Sequence, residues 1–176
     1  MKYTFEDNIG KKIISEAEIK AKITETGNRL TKKYSGKPLL ILGILKGSLP
    51  FAADLIREIK IPVMYDFIRV KSYIGDKSGE LSLIVDTTED LSEFHIVIVE
   101  DVIDTGRTMQ AVKTLINERN PLSLEIITLL DKPDCREVEF KADDALFTIG
   151  NEFVVGYGLD YNEFGRNLRD ICTFIK

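Results

Sequence analysis

The segment Val97–Met109, VIVEDVIDTGRTM, puts three chemically useful features side by side. Val97, Ile98 and Val99 have the β-branched character of a buried strand. Glu100 and Asp101 place two carboxylates where that strand is expected to end. Asp104, Thr105, Gly106, Arg107 and Thr108 then form a polar turn that opens a helix. Such a turn cradles an anion, because unpaired backbone N–H groups and the helix dipole both favour a phosphate. Gly106 permits a tight turn and close approach of a phosphate, and Thr105 and Thr108 add hydroxyl donors. A pair of acids beside a phosphate site suits a divalent cation, a sugar diol, or both. The pattern therefore points to a phosphorylated sugar handled with metal.

Further residues fall at the ends of other apolar runs. Leu45-Lys46-Gly47-Ser48 follows the run Leu39–Leu45, and Lys132 follows Ser123–Leu130 beside Pro133. Spacing alone leaves two readings of each lysine, an anion or carbonyl contact or a surface lysine in a turn. The segment Asn151–Arg166, NEFVVGYGLDYNEFGR, would ordinarily be core, and Ser72–Glu80 an exposed hairpin loop. His95, the only histidine, lies at the wrong end of its strand for chemistry at the acid pair.

The elements that position these residues follow from periodicity. Ser15 and Glu18 have capping-box spacing, and Ile19, Ile23, Leu30 and Tyr34 then share one helical face, with Gly36 as the stop. Ser48 and Pro50 fit the cap and first turn of a second helix reaching about Ile59. Strands are expected at Leu39–Leu45, Val63–Lys71, Leu81–Val85, Phe94–Val99 and Ser123–Leu130. A third helix is expected from Thr105 to about Arg119, with Met109, Val112, Leu115 and Ile116 inward. Alternating strands and helices imply an α/β fold with a central parallel sheet covered by helices. Ligands of such sheets bind beyond the carboxyl ends of the strands, where Lys46, Glu100, Asp101 and Lys132 converge.

Composition narrows the class. The 176 residues fit a single domain spanning residues 1–176, and 44% hydrophobic with 30% charged is ordinary for a globular protein. A net charge of −5 argues against nucleic-acid and basic membrane partners. Cys135 and Cys172 make neither a disulfide framework nor a zinc site. No signal-like start and no apolar run near the ~18 residues of a span are present, so a cytoplasmic protein is expected.

VIVEDVIDTGRTM resembles the ribose-phosphate loop of the type I phosphoribosyltransferases: apolar residues, two acids, two mostly apolar residues, then a small turn with TG. LKGS resembles the diphosphate loop, and FVVGYGLDYNE the purine-binding segment, of the bacterial-type hypoxanthine-guanine members. The motifs stand in the family's order, and the similarity runs from about Ser15 to Ile175. It implies the type I fold, with a small hood built from the terminal segments.

It also implies roles. The turn Asp104–Thr108 holds the 5-phosphate of phosphoribosyl diphosphate, and Asp104 is the general base facing the purine. Glu100 and Asp101 lie by the ribose hydroxyls and Mg2+, and Asp160 contributes to a second magnesium shell. Lys46, Gly47 and Arg166 contact diphosphate, with the Leu45–Lys46 peptide often cis. Lys132 donates to the 6-oxo group of a 6-oxopurine, Phe153 stacks on the base, and the Val154 backbone reads its edge. Ser72 and Tyr73 match a flexible loop that closes over the site, although the following IGDKSGE departs from the family. The implied reaction is purine salvage, giving a nucleoside monophosphate and diphosphate, with a homo-oligomer (dimer or tetramer) expected. Two alternatives are a xanthine-preferring transferase and a nucleotide-sensing RNA-binding regulator on the same fold.

Overall fold

Leu39–Ile44 (β2) is buried at every position, as a strand covered on both faces must be. It lies at the centre of the computed structural model, which describes residues 5–72 and 81–175. The main sheet has six strands: Leu81–Val85 (β4), Met64–Ser72 (β3), β2, His95–Ile103 (β5), Ser123–Asp131 (β6) and Asp144–Thr148 (β7), in that spatial order. All neighbouring pairs are parallel except β3 with β4. The sheet is therefore mixed rather than wholly parallel, because β4 returns beside β3 as an antiparallel edge.

Side chains alternate between two cores. Leu39, Ile41, Val97, Val99, Ile127 and Leu129 pack with helices Glu16–Lys33 (α1) and Leu49–Glu58 (α2) through Ile19, Ile23, Leu30, Phe51 and Leu55. Leu40, Leu42, Ile96, Ile98 and Ile126 face Met109, Val112 and Ile116 of helix Arg107–Asn117 (α3). Leu115 is only half-buried on the flank of α3. The period-two alternation of the strands thus feeds both helical layers.

A second, three-stranded antiparallel sheet is built from the ends of the chain: Ile9–Ile14 (β1), Ile171–Phe174 (β9) and Val154–Val155 (β8). Tyr157, just after β8, is buried, and its hydroxyl donates to Asp54 Oδ2 of α2 at 2.6 Å, pinning the terminal segment to the main layer.

Local chemistry accounts for the helix ends, with one exception. Ser15 and Glu18 form the reciprocal capping box, and Gly36 takes φ +72° just past α1. Ser48 precedes α2, and Pro50 sits in its first turn, but the Ser48 hydroxyl does not cap it. It turns back to donate to the Ile44 carbonyl at 2.6 Å. The reason is steric: Ser48 is fully buried with helical backbone angles, so its side chain faces the strand it has just left.

Candidate active site

The parallel strands β2, β5 and β6 end at one edge of the sheet. There the chain emerges as Leu45–Gly47, Asp104–Gly106 and Lys132, three turns side by side. The strand carrying the acids runs farther than expected. β5 continues through Glu100 and Asp101 to Ile103, with Glu100 opposite Thr128 and Ile103 opposite Asp131. The ladder to β6 holds these polar residues in strand geometry although their charge reads as an end.

The acids are strained electrostatically. Glu100 Oε2 is buried without a hydrogen-bond partner. Burial pushes the Glu100 carboxyl well above its usual range, and the adjacent Asp101 charge adds to this. Burial raises Asp101 to about 6, opposed by the Val102 N–H, which donates to Oδ1 at 2.7 Å, and by the charge of Arg166. An unpartnered buried carboxylate oxygen beside a second carboxyl is a hard-oxygen donor set that fits a divalent cation. Among the described residues no three ligating side chains gather tightly enough to hold an ion alone. Magnesium, which keeps waters and phosphate oxygens in its shell, does not require that.

The turn after β5 is open to an anion. Gly106 takes φ +82° as the residue before α3, and no side chain caps that helix. The Thr105 hydroxyl reaches the Arg107 N–H only at 3.4 Å, so neither Asp104 nor Thr105 closes the helix start. Asp104 is exposed; Cys135 lies against its carboxylate, which together with desolvation pushes the thiol up from its ordinary value. Arg107, at the mouth of the turn, pairs with Glu137 at 2.7 Å.

At the end of β2 the Leu45–Lys46 peptide is cis. Gly47 is required sterically, because a β-carbon there would overlap the Asp101 carboxylate. Gly158, at φ +101°, faces the same loop, and a β-carbon on it would overlap the Gly47 carbonyl oxygen. The backbone of the candidate purine segment thus packs directly on the candidate diphosphate loop. Lys46 Nζ meets Glu163 Oε2 at 3.1 Å. Arg166 donates to the Gly158 carbonyl at 2.7 Å and pairs with Asp160 at 2.7 Å and Glu163 at 3.1 Å, while its Nε is buried without a partner.

The remaining wall comes from β6 and β8. The Lys132 side chain is buried, and Nζ donates to the Glu152 carbonyl at 2.9 Å, next to Phe153. Phe153 stands edge-on to Tyr161 with ring centroids 5.9 Å apart, and Val154 is held in β8 against Thr173. Ser72 ends β3, whereas Tyr73 lies outside the described residues. His95 is at the opposite end of β5, its Nδ1 2.7 Å from the Ser123 hydroxyl, away from all of this.

The phosphoribosyl transferase domain model matches residues 10–162. The hypoxanthine-guanine phosphoribosyltransferase of Streptococcus pneumoniae strain R6 is 47% identical over 165 residues, 93% of this chain and 92% of the relative. The chain belongs to the phosphoribosyltransferase family. The enzyme of the same name from Lactococcus lactis is 51% identical over 162 residues, covering 91% of this chain and 88% of its own. A hypoxanthine phosphoribosyltransferase structure from Staphylococcus aureus superposes with TM-score 0.93 at 41% identity, covering 99% and 96% of the two chains. The Trypanosoma cruzi enzyme in complex with the product IMP gives 0.90 at 37% identity, covering 99% and 97%.

Within this phosphoribosyltransferase three participants escaped the sequence reading. Glu163 bridges Lys46 and Arg166, the Glu152 carbonyl holds Lys132, and Gly158 buttresses Gly47. Only Gly158 left a signal, as the second glycine of GYG in a stretch otherwise fit for core.

Proposed function

We propose that this phosphoribosyltransferase salvages purines by joining hypoxanthine, and guanine with it, to phosphoribosyl diphosphate, releasing the nucleoside 5′-monophosphate and diphosphate. The convergence of the acid pair, the open phosphate turn, the Gly47 loop and Lys132 on one sheet edge supports this reading, as do relatives named for that activity.

In this reading the ribose 5-phosphate sits on the first-turn amides of α3, with the Thr105 and Thr108 hydroxyls beside it. Lys46, the Gly47 amide and Arg166 receive the diphosphate, displacing Glu163 from the two cations. Glu100 and Asp101, with Asp160 beyond them, would hold magnesium, which when bound offsets the charge of the departing diphosphate. A cation held there would also offset the crowding of the two carboxyls. Phe153 stacks on the base, and the Val154 backbone reads its edge.

Lys132, aimed at the same wall by the Glu152 carbonyl, donates to a 6-oxo group. Adenine carries a 6-amino donor there, so the lysine disfavours it. Asp104 accepts the purine proton as the ring nitrogen attacks the anomeric carbon. Phosphoribosyl diphosphate is an anion that does not cross bilayers unaided, and a cytoplasmic enzyme accords with such a substrate. No helix among the described residues is long and apolar enough to cross a membrane.

The deciding experiment is nucleotide formation from phosphoribosyl diphosphate and magnesium with hypoxanthine, guanine, xanthine and adenine in parallel. Turnover with hypoxanthine and guanine but not adenine is expected. Faster turnover with xanthine would move the preference to that base, and no turnover with any base would overturn the reading.

A further inference from the structure

Arg136 belongs to none of the motifs above, yet its guanidinium ties the site together. The side chain is 14% exposed. Nη1 donates to the Ile103 carbonyl at 2.8 Å, to the Asp104 carbonyl, and to the Lys132 carbonyl at 3.3 Å. Nη2 pairs with the Asp131 carboxylate, and Nε donates to the Phe140 carbonyl at 3.2 Å. Ile103 and Asp104 are where β5 becomes the phosphate turn, and Asp131 and Lys132 are where β6 delivers the purine-facing lysine. The arginine stem also backs the turn itself, since a β-carbon on Gly106 would come within 3.1 Å of Arg136 Cδ. Two backbone bonds run alongside, Lys132 N–H to the Ile103 carbonyl and Glu137 N–H to the Thr105 carbonyl, each at 3.0 Å.

We propose that Arg136 is a positioning residue that fixes the phosphate turn Asp104–Thr108 and Lys132 relative to one another, so that one guanidinium sets the separation of the ribose-phosphate and base subsites. This rests on the functional reading of those two loops given above. The geometry demands a planar fork. Its N–H groups, in fixed directions, meet carbonyls where two different strands end, a loop carbonyl and a carboxylate, which a lysine ammonium on a flexible stem cannot do. Neither substrate touches the guanidinium in this arrangement; its effect is carried by the loops it holds.

Arg136→Lys keeps the charge and loses the fork. The KM values for phosphoribosyl diphosphate and hypoxanthine should rise together, each roughly tenfold, as expected when charge-assisted hydrogen bonds that hold a site are lost. Asp131→Asn, which removes only the anionic partner, should raise both by a smaller factor. Arg169→Gln, at a 79% exposed side chain remote from the turns, should leave both unchanged. Unchanged KM values in folded Arg136→Lys, or a rise for one substrate alone, would overturn the proposal. So would failure of both Arg136→Lys and Asp131→Asn to fold, because the arginine would then be holding the fold and not two loops. No nucleotide from the wild-type protein would instead sink the functional reading beneath it.

Discussion

Replacing Asp101 with asparagine should stabilise the protein at neutral pH while impairing it as an enzyme. Burial lifts the Asp101 carboxyl from 3.8 to about 6. In the unfolded chain it ionises near its ordinary value, so the folded state binds the proton more tightly. Its contribution to stability is complete below about pH 4, is lost as the pH rises through 4 to 6, and stays lost above that. The separation of the two values corresponds to about 3 kcal/mol at neutral pH. Asparagine can still accept the Val102 N–H through its amide oxygen, and it removes the charge that raises Glu100. It also forfeits the attraction of Arg166. The expected net gain at pH 8 is therefore about 1–3 kcal/mol, or roughly 2–12 °C in Tm for a chain of this size. Urea unfolding of both proteins at pH 5 and pH 8, without divalent cation, reads this directly. Wild-type stability should drop more than the variant's between the two, and the variant should turn over far more slowly. A variant no more stable than wild type at pH 8, or one with the same pH dependence, would refute the argument that Asp101 is held ionised against its surroundings.

Other consequences are as specific. Gly47→Ala should lower kcat/KM by about 100-fold, because its methyl must displace either the Asp101 carboxylate or the loop, and steady-state kinetics at saturating magnesium will show it. Asp104→Asn should lower turnover by roughly ten- to ten-thousand-fold, the range for losing a general base, and wild-type turnover would remove Asp104 from that role. Lys132→Met should cut kcat/KM for hypoxanthine by about 100-fold and narrow the gap to adenine, read by running the two bases side by side. Glu125→Ala, away from the site, should destabilise by about 3 kcal/mol in denaturant titration, because Tyr34, Lys33 and Arg29 all converge on that buried carboxylate at 2.6–2.8 Å.

Features with a local cause were legible in the residues. The capping box at Ser15 and Glu18, the buried run of β2, and the glycine at the start of α3 each follow from neighbouring side chains, and each formed where expected. Features set by a distant partner were not. Glu100 and Asp101 read as the end of a strand, but the ladder to β6 carries the strand past them. The antiparallel direction of β4 has no signature in its own five residues; it comes from pairing with β3. Ser48 has the identity of a cap and the backbone of a helix interior, so packing decided its bond. Arg136 and Glu163 have no signature in their own neighbourhoods, because what distinguishes them is a set of carbonyls and cations contributed by other parts of the chain. Of the candidate site, the residues on strand ends could be named from sequence; the ties between those ends could not.

The contact of Gly158 with the Gly47 carbonyl has a consequence for how the molecule comes into being. During vectorial synthesis the acid pair, the phosphate turn and Lys132 all precede Gly158, and the sheet that carries them needs nothing later than β7. A nascent chain halted at that stage holds the Glu100–Asp101 pair but lacks the backbone that braces the Lys46–Gly47 turn, as well as Phe153 and Arg166. Assembly of the candidate site therefore waits for the segment Gly158–Arg166 to emerge, and a polypeptide halted before it presents the acid pair without a braced loop.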